Sequence, residues 1–125
     1  MPTYTERHVV TVTTDDSGDS TDYTPQTTGR VISIRYVKTD FTNGVDFTIT
    51  AEATGETIWT DTDINASETV APRQPTHDTA GDAATYDDVG GNAVNDHIYL
   101  AEDRVKIVTS SGGDTKTGTF HVIIG

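Results

Sequence analysis

Cysteine is absent from this chain, so the side chains best suited to bind a metal ion or transfer a proton are those of four histidines and 20 acidic residues. The histidines are His8, His77, His97 and His121. No two of them have the HExxH or HxH spacing that places two zinc ligands on one element. His8 and His121 could still meet across neighbouring strands. We expect surface or strand histidines and assign no metal ligand.

A run of carboxylates and hydroxyls, DDSGDSTD at residues 15–22, offers the oxygen ligands that calcium prefers. The run lacks the glutamate that closes an EF-hand loop at its twelfth position. It therefore predicts a solvated polar turn. A second acidic segment, Asp87-Asp88 followed by Gly90-Gly91, has the same interpretation.

Nucleophilic and phosphate-binding motifs are also missing from the sequence. There is no GxSxG elbow and no glycine-rich phosphate loop, and SSGG at residues 110–113 is typical of a tight turn. Any two of the 20 acidic residues could lie close enough to act as a glycosidase pair. The number of acidic residues is therefore no evidence for glycosidase activity. We assign no catalytic and no cofactor-binding residue, and we expect a protein that is not an enzyme.

The basic residues are more informative because only eight are present, against 20 acidic ones, for a net charge of −12. Arg30, Arg35 and Lys38 fall on one predicted strand, and strict alternation would put Arg35 on one face with Val31, Ser33 and Val37. They either balance charge or form a contact patch for an acidic protein partner. The candidate partner-binding residues are Tyr4, Arg7, Arg30, Arg35, Lys38 and Arg73.

Composition limits the fold and the partners. The chain has 125 residues, which suits one domain, and its 25 threonines favour strands. The negative charge disfavours nucleic acid and anionic membranes. The N-terminus lacks a basic region followed by an apolar stretch, so we expect synthesis in a cytoplasm without a signal peptide.

Short alternating segments predict seven or eight strands. They include residues 8–14, 29–38, 45–51, 56–64, 97–101, 103–110 and 118–124. Asn43-Gly44 is a hairpin signal, and the pattern predicts a second hairpin between 103–110 and 117–124. The spacing indicates an all-β, single-domain β-sandwich that is jelly-roll-like.

Two segments fall outside this pattern. Residues 1–8 predict an N-terminal arm that is either disordered or ordered on a partner, leaving 9–125 as the sandwich body. Residues 65–95 form a long irregular excursion. It either hides a short helix near residues 83–89 or is an interaction loop.

Two stretches of the chain resemble small structural proteins of tailed bacteriophages. They are GRVISIRYVKTDFTNGVDFTITAEATGETIW at residues 29–59 and DRVKIVTSSGGDTKTGTFHVIIG at residues 103–125. The resemblance is to capsid decoration, or cement, proteins, and it covers strand-and-turn patterns without a functional motif.

The resemblance implies a β-rich protein on the outer capsid surface of the virion. Its partners would be the major capsid protein and further copies of itself, as a homotrimer by preference or a dimer. The alternatives are a tail, head–tail connector or host-attachment protein of the virion, and a carbohydrate-binding β-sandwich. The last would use Trp59, Tyr36, Tyr86 and Tyr99 as stacking platforms.

Overall fold

The computed structural model describes residues 4–86 and 91–125, and these ranges form ten β-strands. The strands are β1 (Glu6–Thr13), β2 (Ser20–Tyr23), β3 (Thr27–Lys38), β4 (Val45–Ala51), β5 (Thr57–Ile64), β6 (Glu68–Val70), β7 (Arg73–Pro75), β8 (Asn95–Asp103), β9 (Val105–Ser110) and β10 (Thr117–Ile124). They pair antiparallel throughout, so the all-β prediction is confirmed.

Two sheets share one apolar core, as a β-sandwich does. The larger sheet has the order β1-β10-β3-β8-β7, with β6 beside β3, and the smaller has the order β2-β9-β4-β5. Alternating burial explains why they pack: every second residue of β4 and β10 is buried. The sandwich prediction is confirmed, and the jelly-roll connection pattern stays a prediction.

An aromatic cluster joins the two sheets. Tyr36 of β3 and Phe120 of β10 belong to the larger sheet, and their rings pack against Phe47 of β4 with centroids 4.7 and 4.8 Å away. Phe41, from the crossing between the sheets, stacks on Tyr36 at 6.0 Å. Gly118 makes room for this ring, because a Cβ there would clash with Phe41.

The predicted hairpin between 103–110 and 117–124 is wrong. β9 lies in the smaller sheet, between β2 and β4, whereas β10 lies in the larger sheet, between β1 and β3. The connecting turn crosses from one sheet to the other, with positive φ at Ser111, Gly113 and Thr115. Strands that face one core from opposite sides show the same alternation, so the pattern could not separate a hairpin from a crossing.

The Asn43-Gly44 turn forms, with φ of 91° at Gly44, but it does not make a hairpin. It joins β3 of the larger sheet to β4 of the smaller one. By contrast, the turn at Thr54-Gly55 does connect a paired hairpin, β4 with β5.

A β-bulge in β3 changes which residues point outward. Val31 is opposite Ile124 and Ser33 is opposite Ile123, so β3 has one extra residue at this step. Val31 therefore lies in the core, fully buried, and does not share the face of Arg35 as strict alternation predicted.

The two segments that fall outside the predicted strand pattern are more ordered than expected. β1 begins at Glu6, so the last three residues of the predicted arm are paired with β10. The 65–95 excursion contains β6 and β7, and its tip is tied by bridges between His77 and Ala83 and between Thr85 and Ala93. Residues 83–86 form no helix; residues 87–90 of the proposed helix and acidic turn lie outside the described ranges.

Tyr36 supplies a stability test. Its hydroxyl is buried and has no hydrogen-bond partner among the described residues, and burial raises its pKa to about 12. An unmet buried donor costs about 1–3 kcal/mol. Tyr36→Phe should therefore raise the free energy of unfolding by about 1 kcal/mol. Urea denaturation measures this.

The exposed Tyr99 is the matched control, because Tyr99→Phe removes a hydroxyl that water already solvates. It should change stability by less than about 0.5 kcal/mol. A destabilised Tyr36→Phe variant would show that the hydroxyl has a partner in solution.

Candidate protein-binding face

The outer face of the larger sheet concentrates positive charge. Cross-strand partners share a face, and Arg30 is paired with Tyr99, Arg35 with His121 and Arg73 with His97. Arg7 also points outward, on β1. All eight basic residues lie in the described ranges, and four of them are on this surface, which we call the basic face.

The arginines of the basic face are held in place although they are exposed. Arg35 Nη1 donates to Thr69 Oγ1 over 2.8 Å, and Arg30 Nε donates to the Gly125 carbonyl over 2.9 Å. Arg73 Nη1 donates to the carbonyls of Pro72 and Ile32 at 2.8 and 3.3 Å. Anchored side chains lose less conformational entropy when a partner binds.

Arg7 is anchored differently, by a second side chain of the face. Its Nη1 lies 3.3 Å from His121 Nδ1, so the guanidinium donates to the imidazole nitrogen. This contact links β1 to β10 across the outer surface. It brings the positive charge of the sheet edge toward the centre of the face.

The arginines of the basic face have no acidic cross-strand partner. Arg7 is paired with Ile123, Arg30 with Tyr99, Arg35 with His121 and Thr69, and Arg73 with His97. Asp96 lies at the border of the face. A hydrogen bond from the His97 backbone N–H is the main cause that lowers the pKa of Asp96, and the positive charge of Arg30 acts in the same direction. Four arginines with no acidic cross-strand partner make this surface locally positive on a chain of charge −12.

Apolar and aromatic groups lie between the arginines. Tyr99 is 59% exposed and Val9 is 53% exposed, and Val37 and Ile123 are half-buried. Arginine and tyrosine are enriched where proteins bind one another. The composition of the face is that of a protein interface.

The structure brings together four of the six predicted partner-binding residues: Arg7, Arg30, Arg35 and Arg73. Lys38 is not among them, because its ammonium binds Asn43 Oδ1 at 2.5 Å and the Asn65 carbonyl at 3.2 Å at the end of the sheet. Tyr4 is exposed and precedes β1.

The sequence-based interpretation missed His121, Tyr99 and Val9 as members of the same face. Alternation alone could have marked each one as pointing outward from its own strand. Their common position requires the order of β1, β10, β3 and β8 in the sheet, which alternation does not contain.

The acidic run at residues 15–22 and the histidines do not form a metal site in the described part of the chain. Asp15 Oδ1 accepts hydrogen bonds from the backbone N–H groups of Ser17 and Asp19, and the end of the acidic run is β2. His8 and His121 do not meet: His8 is opposite the buried Val122, whereas His121 points outward. Within the described ranges, no group of three or more His, Asp or Glu side chains could hold a metal ion.

Two carboxyl groups approach each other at the side of the sandwich. Glu68 of β6 and Asp61 of β5 both point inward, and Glu68 Oε1 is buried without a hydrogen-bond partner in the described part of the chain. Burial, and then the negative charge of Asp61, raises the pKa of Glu68. A protonated Glu68 can donate to Asp61, which further favours the protonated form.

Comparison with known protein families and with curated protein sequences found no match to this chain. Across residues 4–86 and 91–125, the structure has no helix with the length and apolar character that a bilayer crossing requires. A functional assignment therefore depends on the residues of the basic face.

The Glu68–Asp61 pair predicts how stability depends on pH. Folding raises the pKa of Glu68, so the folded chain keeps this proton at pH values where the unfolded chain has lost it. The stabilising effect is complete below the ordinary pKa of 4.5 and is lost as the pH rises through the raised value. Glu68→Gln should raise the urea midpoint at pH 7 and flatten its pH dependence above pH 4.5.

Glu56→Gln is the matched control, because it removes the same charge from an exposed turn. Equal effects of both variants at pH 7 would mean that net charge, and not the Asp61 contact, sets the pH dependence.

Proposed function

We propose that this protein is a non-catalytic capsid decoration protein of a tailed bacteriophage. It binds the outer surface of the capsid through the basic face and bridges neighbouring major capsid protein subunits, which stabilises the head. The protein then takes no cofactor, and it is made in the host cytoplasm and incorporated into the virion. The observation that carries this proposal is the set of anchored arginines, without acidic cross-strand partners, on one face of an acidic protein.

Charge separation supports binding to an acidic protein surface. The net charge of −12 gives the chain a long-range repulsion from nucleic acid, while the basic face attracts a locally negative surface at short range. Such a protein suits the outside of a DNA-filled shell better than its inside. Attachment needs only a standard interface of about 1,600 Å² in total for each copy.

The resemblance to phage structural proteins includes two strands of the basic face. Its first stretch, 29–59, contains most of β3, and its second, 103–125, contains β10; the two stretches also include β4 and β9 of the smaller sheet. β3 and β10 carry Arg30, Arg35 and His121 of the basic face. Self-association is part of the proposal, because many copies multiply a modest binding energy across a shell.

The carbohydrate-binding alternative has less support from the aromatic residues. Tyr36 is fully buried, and Trp59 is half-buried with its ring 5.9 Å from Phe47. Neither offers an open ring to a sugar. Tyr86 and Tyr99 are exposed, but they lie on different parts of the chain, the excursion tip and the sheet.

Shell binding by single variants tests the proposal. Arg35→Ala and Arg73→Ala should each weaken co-sedimentation with DNA-emptied heads of the parent phage by about tenfold or more, because interface arginines are frequent hot spots. Raising the salt concentration should weaken wild-type binding as well. The dissociation constant is measured by titrating the protein against a fixed amount of heads.

Lys106→Ala is the matched control. Lys106 points outward from the smaller sheet. Lys106→Ala therefore removes one positive charge, as Arg35→Ala and Arg73→Ala do, but leaves the basic face unchanged. Equal weakening by Lys106→Ala would exclude the basic face as the contact. Finding the protein only on tails, or in a handful of copies per virion, would favour the tail, connector or attachment alternatives.

A further inference from the structure

The free edge of β1 differs from the other sheet ends of this protein. β7 has three residues and follows Pro72, and β2 has four and is followed by Thr24-Pro25. β5 contains two register shifts, which interrupt a regular edge. Short length, proline and bulges are the devices that stop sheet edges from pairing with other chains.

β1 has none of these devices. It has eight residues that pair with β10 in one unbroken register, from Glu6 opposite Ile124 to Thr13 opposite Thr117. It contains no proline, and its sequence ERHVVTVT is rich in β-branched residues. Among the described strands at the sheet ends, β1 is the one that is both long and regular.

The unpaired backbone groups of β1 can be assigned from its pairing. The Thr14 N–H donates to the Lys116 carbonyl oxygen over 2.9 Å, one step beyond the paired residues Thr13 and Thr117. Antiparallel ladders alternate, so the even-numbered residues bond to β10. Arg7, Val9, Thr11 and Thr13 therefore direct their N–H and C=O groups toward the free edge.

Charge also distinguishes this edge. β1 carries one acidic and one basic residue, Glu6 and Arg7, and no charge from Val9 to Thr13. The edge strand β5 carries Asp61 and Asp63. Two copies of a chain of charge −12 can therefore approach through β1 without placing carboxylates opposite one another.

We infer that β1 pairs antiparallel with β1 of a second copy, around a two-fold axis at Val9. This register joins the two most exposed valines of the edges and places Arg7 of each copy opposite Thr11 of the other. An edge that pairs with itself is self-complementary and closes as a dimer, so it does not generate a trimer. The larger sheets of the two copies become one continuous sheet.

The dimer has a consequence for attachment, which rests on the proposed function. Cross-strand partners share a face, so the two basic faces lie on the same side of the joined sheet. A dimer then presents two arginine sets to one surface and gains from bivalent binding. The pairing of the β1 edges does not itself depend on what the basic face binds.

Cysteine cross-linking tests the register directly, because the chain has no cysteine of its own. Val9→Cys places two thiols at the axis, within the Cα separation that a disulfide spans. Mild oxidation should convert most of this variant to a covalent dimer that dithiothreitol reverses. Thr13→Cys is the matched control: its two copies would be about 27 Å apart, at about 3.4 Å per residue, and should not cross-link.

A charge exchange provides an independent measurement on the uncross-linked protein. Thr11→Lys puts a lysine opposite Arg7 of the other copy at two symmetric places, and should raise the dimer dissociation constant by about tenfold in sedimentation equilibrium. Adding Arg7→Glu should restore it. Thr21→Lys, an exposed position on β2, should have no effect.

The outcomes separate this inference from the proposed function. A wild-type monomer at tens of micromolar, or equal cross-linking of Val9→Cys and Thr13→Cys, overturns the β1 dimer whatever the shell assay shows. A dimer with the expected cross-link that does not bind heads supports the inference and contradicts the proposed function.

Discussion

The packing of Tyr36 and Phe120 against Phe47 is the interaction on which the rest of the structure depends. It is the place where the larger and smaller sheets are joined by their largest buried side chains. In a chain without disulfides, apolar burial of this kind must hold the sheets together. Because the cluster fixes the inner side of β3 and β10, it also fixes which side chains of these central strands point to solvent.

The bulge in β3 determines which side chains of this strand face the solvent. Arg30 and Arg35 are five positions apart in the sequence, an odd offset, so a regular strand would place them on opposite faces. The extra residue between Val31 and Ser33 changes the phase and puts both arginines outside. One irregularity in the backbone thus allows the basic face to form while Val31 remains in the core.

Alternation in the sequence was enough to predict most of the strands and the sandwich, but Arg7 and Arg73 lay in segments to which it assigned no strand. It could not predict which strands pair, because β9 and β10 face the same core from opposite sides and show the same pattern. The bulge could not be predicted for a related reason: Ile32 is apolar and β-branched like Val31, so its residue type does not mark it as the extra residue. Pairing partners and phase changes are decided by tertiary packing, which a single sequence does not display.

The crossings between the sheets also have a consequence for how the chain folds. Most consecutive strands are not paired with each other in the described topology, and β1 pairs with β10, at the other end of the chain. Closing such distant contacts costs loop entropy before burial compensates for it, so folding should be slow, in the range of milliseconds to seconds. On the ribosome, β1 must wait for β10 to emerge, and a chain that stops before Thr117 leaves the larger sheet without the strand between β1 and β3.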